Sequence, residues 1–178
     1  MRILVVLAAA TLAACEQPAT PPTTKVTAAD SADQVMFGAR SLVTDRGLLR
    51  AEMLADTALF FDENTRVELR GVNTTFHNST GAKSTTLTSL RGVYDTRKAG
   101  MIARGKVVVL SVDGRRLTTE HLNYDATRDE ISSDSAFVLT EPGRKLEGIG
   151  FRSDPGMQNF RVLRSARGSA GTVVVPQP

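Results

Sequence analysis

Few residues in this chain are equipped for chemistry. Its only histidines are His77 and His121, and its one cysteine is Cys15. A metal or acid–base site on Glu120-His121 needs a second ligand at helical spacing, but the neighbouring residues read as strand. Gly100 to Lys106, GMIARGK, nearly completes a phosphate-binding loop. That pattern requires Ser or Thr next, to ligate magnesium, and a helix whose N-terminus faces the phosphate. Here Val107 follows, and then VVLSV. No Gly-x-Ser-x-Gly elbow occurs to present a serine nucleophile. Asp62, Asp95, Asp125 and Asp154 recur at matching places, which suits the capping of tight turns better than acid–base work. The expectation is a protein that is not an enzyme, with no catalytic residues, no metal and no cofactor.

The recurrence itself is the stronger signal. VYDTRKAGM at 93–101 and NYDATRDEI at 123–131 place Tyr94 and Tyr124, and Asp95 and Asp125, 30 positions apart. At the same offset Leu87 falls on Leu117, Met101 on Ile131, Val107 on Phe137 and Val109 on Leu139. A weaker copy at an offset of 29 places Leu146 on Leu117, Phe151 on Leu122, Asp154 on Asp125 and Phe160 on Ile131. Such a period signals stacked, similar units. Each unit is rich in Val, Ile, Phe, Thr and Ser between turn signals, of which Asp113-Gly114 is the strongest. The chain therefore reverses about every 15 residues, an antiparallel zigzag with two strands per repeat.

The strands are long, and Gly71, Gly92 and Gly105 lie in mid-strand, where glycine marks a bend or bulge. Bent strands stacked in succession give an all-β fold, a trough or opened jelly roll with two terminal edges. By period-2 alternation Met101, Ala103, Val107 and Val109 share a face, and Ile131, Phe137 and Leu139 repeat it. That face is either a filled core or the lining of an apolar groove. If it is a groove, Val109→Arg or Phe137→Arg is expected to impair function without unfolding the domain.

The chain ends supply the setting. Residues 1–15, MRILVVLAAATLAAC, run from one positive charge through an apolar stretch to small residues. This is the charge order of a secretory signal, and it is too short to span a bilayer. Leu12-Ala13-Ala14-Cys15 resembles the lipobox of bacterial lipoproteins, which implies lipidation of Cys15 and a membrane anchor. Residues 16–33, rich in Pro, Thr and Ala, read as a disordered tether. Residues 34–167 form one domain, and 168–178 a loose tail in which Thr172 to Val175 are a further strand candidate. With 22 basic and 19 acidic residues, net +3, and no Trp, nothing points to nucleic acid.

These segments together resemble the LptC family, periplasmic components of lipopolysaccharide export related in fold to LptA/OstA-type proteins. The resemblance lies in Leu87-Thr88-Ser89 through Tyr94-Asp95, the Gly105-to-Gly114 hairpin, and Leu117-Thr118-Thr119-Glu120 through Tyr124-Asp125. It implies an antiparallel V-shaped β-jellyroll with an apolar inner face. Leu90, Tyr94, Met101, Val107, Val109, Leu122, Ile131, Phe137, Leu139 and Phe160 are the candidate groove residues. The implied ligand is lipopolysaccharide, received from an inner-membrane ABC transporter and passed to an LptA-like periplasmic protein. Partners of that kind pair edge strands. The candidate edges are Gln34 to Thr44, with Val35 and Phe37, and Asn159 to Arg167, with Phe160, Val162 and Arg164. The implied location is the periplasm, lipid-anchored at the inner membrane or, alternatively, at the periplasmic face of the outer membrane. A lipid-anchored structural or adaptor protein with a filled core is the other reading.

Overall fold

A computed structural model describes residues 28–45, 47–98 and 100–170. Cys15 and its leader, most of the tether and the Thr172–Val175 strand candidate lie outside them. Within the segment read as tether, Ala28–Ser31 form a 3-10 turn.

The described residues form nine strands: β1 (Gln34–Asp45), β2 (Leu48–Phe61), β3 (Arg66–His77), β4 (Lys83–Asp95), β5 (Gly100–Ser111), β6 (Arg116–Asp125), β7 (Glu130–Glu141), β8 (Arg144–Ser153) and β9 (Arg161–Ala170). All pair antiparallel, in sequence order, in one sheet that begins at β1 and ends at β9. Each repeat is thus one hairpin of a continuing sheet: Met101 pairs with Tyr124, and Tyr124 with Ile131. The Asp of the repeat caps the turn. Asp95 Oδ1 accepts from the backbone N–H groups of Arg97 and Lys98, and Asp125 Oδ1 from those of Thr127 and Arg128.

Every strand from β3 to β8 bends near its middle, and the sheet folds over on itself. Each bend interrupts the in–out alternation. In β3 the inner face runs through Val67 and Leu69, then Val72, Thr74 and Phe76; in β6 through Leu117 and Thr119, then Leu122. The ladder breaks there, between Thr88 and Arg91, Arg104 and Val107, Thr119 and Asn123, and Ser133 and Ala136.

Two devices make the bends possible. Gly71 (φ +61°), Gly105 (φ +77°) and Gly150 (φ +73°) turn β3, β5 and β8 through left-handed backbone that costs glycine nothing. In β4, β6 and β7 a buried hydroxyl hydrogen-bonds a backbone carbonyl beside the break. Ser89 donates to the carbonyl of Arg91, Thr119 to that of Ala136, and Ser133 to that of His121. Gly92 belongs to neither group. Its φ is ordinary, and a Cβ there would come within 3.1 Å of Val72 Cγ2 and 3.2 Å of Met101 Cε. It gives space to the core instead of bending the strand.

Folding brings the two halves of each strand face to face. Phe137, before the end of β7, meets Phe151, on the far side of the bend in β8, edge to face at 5.4 Å. Phe76 of β3 meets Tyr124 of β6 at 5.0 Å. The result is an all-β, opened antiparallel jelly roll whose inner face forms one hydrophobic cluster.

Candidate functional site

The inner face holds most of the residues that the sequence singled out. Met101, Val107, Val109, Leu122, Ile131, Phe137 and Leu139 are all buried in the single cluster, and Tyr94 and Phe160 pack against it half-buried. Leu90 does not join them. It falls in the bulge of β4, where the added residue turns its side chain outward over Gly105, and it is 54% exposed. Strict alternation places Leu90 and Leu122 alike only if the bend is ignored.

The face is not uniformly apolar. Thr74, Thr85, Ser89, Ser111, Thr119, Ser133 and Ser153 are buried on it or at its ends. Those at the bends are occupied with backbone carbonyls. Sequence reasoning missed this set, although the Ser/Thr richness of these strands was its visible sign.

The mouth of the fold, where the strand tips of the two halves approach, is bridged in two places. At one, Tyr124 packs on Phe76, and its hydroxyl donates to Asp129 Oδ1 at 3.3 Å. Arg50 reaches the same carboxylate at 3.9 Å. Burial, followed by the neighbouring Asp129 charge, pushes the Tyr124 hydroxyl up to about 12, so it remains a neutral donor. At the other, residues 154–160 between β8 and β9 cross to the opposite rim. Met157 of this segment is 1% exposed inside the core cluster. Phe160 stacks on Phe151 at 5.0 Å and meets Phe137 edge to face at 5.1 Å. Between the bridges lies a cavity of about 460 Å³ lined by Arg50, His77, Lys83, Asp113, Asp129 and Asp154, among others. Acids and bases both line it, so it presents no single sign of charge.

The edges are exposed along most of their length. Among the described residues β1 pairs only with β2, and Val35 (37% exposed) and Phe37 (79%) lie on it. At the other end, among the described residues, β9 pairs only with β8. Val162 of β9 packs partly against the core, and Arg164 extends outward to the Asp134 carbonyl at 3.4 Å. Phe160 is not an edge residue, because it precedes β9 and points into the core.

The remaining candidates take structural places. Gly100–Lys106 runs along β5 into its bend at Gly105, with no helix after it to face a phosphate. His121 lies 3.8 Å from Asp134, and His77 Nδ1 is buried without a hydrogen-bond partner. Among the described residues no helix is long and apolar enough to cross a membrane, and no three His, Cys, Asp or Glu side chains cluster as a metal site.

A sheet folded around an apolar inner face, with β1 and β9 as its outer strands among the described residues, defines the class: an open antiparallel β-jellyroll. The sequence matches the family described as "Lipopolysaccharide-assembly, LptC-related" over residues 1–170, and the chain belongs to that family. It is a periplasmic component of lipopolysaccharide transport. Similar solved structures include the crystal structure of LptH, the LptA-homologous periplasmic component of the lipopolysaccharide transport device of Pseudomonas aeruginosa. It is 17% identical, covers 72% of this chain and 90% of that one, and superimposes with a TM-score of 0.49. No curated protein matches the chain at a significant level.

Proposed function

We propose that this protein carries lipopolysaccharide between an inner-membrane ABC transporter and an LptA-like periplasmic protein, with the acyl chains held on the inner face of the folded sheet. The observation that carries the reading is the hydrophobic cluster of the inner face, which passes from β2 through β8 and is met by Ala39 and Val43 of β1 and Val162 of β9. Each repeat adds an equivalent rung, as Met101 and Ile131 or Val109 and Leu139 show, so a chain sliding along the sheet meets similar surface throughout. Sugars remain in water at the mouth, where the lining turns polar.

β1, with Val35 and Phe37, is the edge assigned to the transporter, and β9, with Val162 and Arg164, the edge assigned to the next carrier. Unpaired edges are aggregation hazards unless something covers them, and strand addition by partners of like fold supplies that cover. A lipid on Cys15 anchors the domain through the segment 16–33, at the inner membrane in this reading, with the periplasmic face of the outer membrane as the alternative.

The filled interior favours a second reading, in which the protein is a lipid-anchored adaptor that holds partners by its edges and takes no lipid. Photocrosslinking in intact cells separates the two. A photoreactive residue at Tyr94, half-buried against the cluster, is compared with one at Arg128 in an outward turn. Lipopolysaccharide captured at 94 and not at 128 is the expected result. Capture of protein alone at both positions in a folded domain would sink the carrier reading and leave the adaptor.

A further inference from the structure

The connection between β8 and β9 differs from every other in the sheet. The remaining hairpins among the described residues turn in two to five residues, whereas this one takes seven, Asp154 to Phe160. It also leaves its own strands. Thr85 Oγ1 of β4 donates to the Pro155 carbonyl at 3.0 Å, across 70 positions of sequence. Arg115 donates to the Gly156 carbonyl at 3.4 Å, and Gln158 Nε2 to Asp113 Oδ2 at 3.3 Å. Each of these contacts lies on the opposite rim of the mouth.

A loop that merely joins two strands has no need to bury a side chain in the core. This one buries Met157 to 1% exposure and holds it at φ +58°, a conformation that costs a non-glycine residue free energy. Methionine is unbranched, flexible and apolar, and so the side chain nearest in character to a length of acyl chain. Phe160 extends the same occupancy toward Phe137 and Phe151. Meanwhile the strap carries its own internal structure. Asp154 accepts from the N–H groups of Met157 (through its carbonyl), Gln158 and Asn159 (through its carboxylate), so the segment can move as a unit. The ties that hold it shut are few, and two of the three are long for hydrogen bonds. The mouth cavity, lined on one side by Pro155, Gly156 and Gln158, leaves room beside it for an entering group.

We propose that the Asp154–Phe160 strap is a built-in plug: Met157 and Phe160 occupy the place of an acyl chain between the two halves of the sheet, and the strap swings out of the mouth when lipid enters. The plug rests on the carrier reading above. It keeps the apolar face out of water while the carrier is empty, and it makes lipid entry an exchange of one apolar occupant for another. Because it leads directly into β9, opening it also alters the strand assigned to the next carrier.

The test uses the purified full chain and lipopolysaccharide carrying a fluorophore on its core sugars. In wild type, addition of the lipid is expected to speed amide hydrogen exchange across 155–160 and to slow it in β5 to β7. The double variant Thr85→Val/Gln158→Ala loses two ties without opening a void in the core, and it should bind about tenfold more tightly, because less is lost in opening. Asp95→Ala, which loosens the comparable capped turn between β4 and β5 and touches neither bridge, should leave affinity unchanged. Saturable binding with slowed or unaltered exchange at 155–160, or equal affinity in the double variant, overturns the plug while leaving the carrier intact. No saturable binding by any form overturns the carrier reading, and the plug with it.

Discussion

Phe137 is the residue on which the packing of the two halves can be measured. It is 2% exposed, and its ring meets Phe151 at 5.4 Å and Phe160 at 5.1 Å, one contact across the fold and one to the strap. Truncating a buried Phe to Ala costs about 3–5 kcal/mol in transfer free energy and residual cavity. Two aromatic contacts, each adding about 0.5–1.5 kcal/mol, place this site in the upper half of that range. Against a total stability of about 5–15 kcal/mol, the variant stays folded in water but unfolds early. With a urea slope of about 2 kcal/mol per molar, the midpoint of Phe137→Ala should fall by about 2 M, followed by far-UV circular dichroism. Leu110→Ala, at a site 47% exposed, is the control and should move the midpoint by less than about 0.3 M. A shift in Phe137→Ala no larger than the control's would mean that the two halves do not pack on each other as described. The same burial revises one expectation. Arginine at 137 or at Val109, 1% exposed, would strand an unpaired charge in the core and unfold the empty domain, whether or not it carries lipid.

Three further outcomes test other parts of the structure. Gly71→Ala should cost about 2 kcal/mol or more in a denaturation midpoint, because φ is +61° and the new Cβ would fall 1.9 Å from Asp56 Oδ2; Gly143→Ala, at φ +74° in open space, should cost only about 1 kcal/mol. Tyrosinate absorbance should show one of the two tyrosines ionising only near pH 12, and Tyr124→Phe should abolish that late step. Since the folded Tyr124 hydroxyl is raised above its ordinary 10, its stabilising contribution is complete below pH 10 and is lost as pH climbs toward 12. At the acid end, hydrogen bonds from the Thr127 side chain and then the backbone N–H groups of Thr127 and Arg128 hold Asp125 below the usual carboxylate range. Its contribution is therefore present above about pH 4 and disappears below that, so melting temperatures of wild type and Asp125→Ala should converge in acid; a gap that persists at pH 2 would refute the capping role.

The repeat made the sheet legible. Tyr94-Asp95 and Tyr124-Asp125 mark turns whose chemistry depends only on local sequence, so hairpins, strand order and most of the inner face could be read directly. Met101, Val107, Val109, Ile131, Phe137 and Leu139 followed from alternation within straight half-strands. What alternation does not carry is the phase change at a bend. A bend adds residues on one face without any change of composition, which is why Leu90 turns outward and why Gly92 resembles Gly71 and Gly105 in sequence but serves packing. The hydroxyls of Ser89, Thr119 and Ser133 were equally hidden, since a Ser or Thr in a strand looks like β-propensity until the broken ladder shows which carbonyl needs it. Long-range placement was out of reach altogether: nothing local to residues 154–160 says that Pro155 will meet Thr85.

A filled interior and a carrier are compatible once the size of the exchange is considered. An apolar trough left open to water would forgo about 25 cal/mol for each Å² exposed, and an empty carrier with such a face would aggregate or collapse. The bent strands β3 to β8 around Leu122, Ile131 and Phe151 avoid this by closing the halves on each other, at the mouth through Phe76–Tyr124 and through the strap. If the proposed carrier reading holds, an entering acyl chain replaces protein–protein contact with protein–lipid contact of the same kind, so the net change is small in either direction. Small net change is what transfer requires, because a groove that gained the full burial of several acyl chains would not release them. On this account the tightness of the empty core measures how readily the carrier hands on its cargo. Variants that loosen the mouth should therefore retain lipid longer on dilution, in proportion to their gain in affinity, and a loosened variant that binds more tightly yet releases as fast as wild type would break the link.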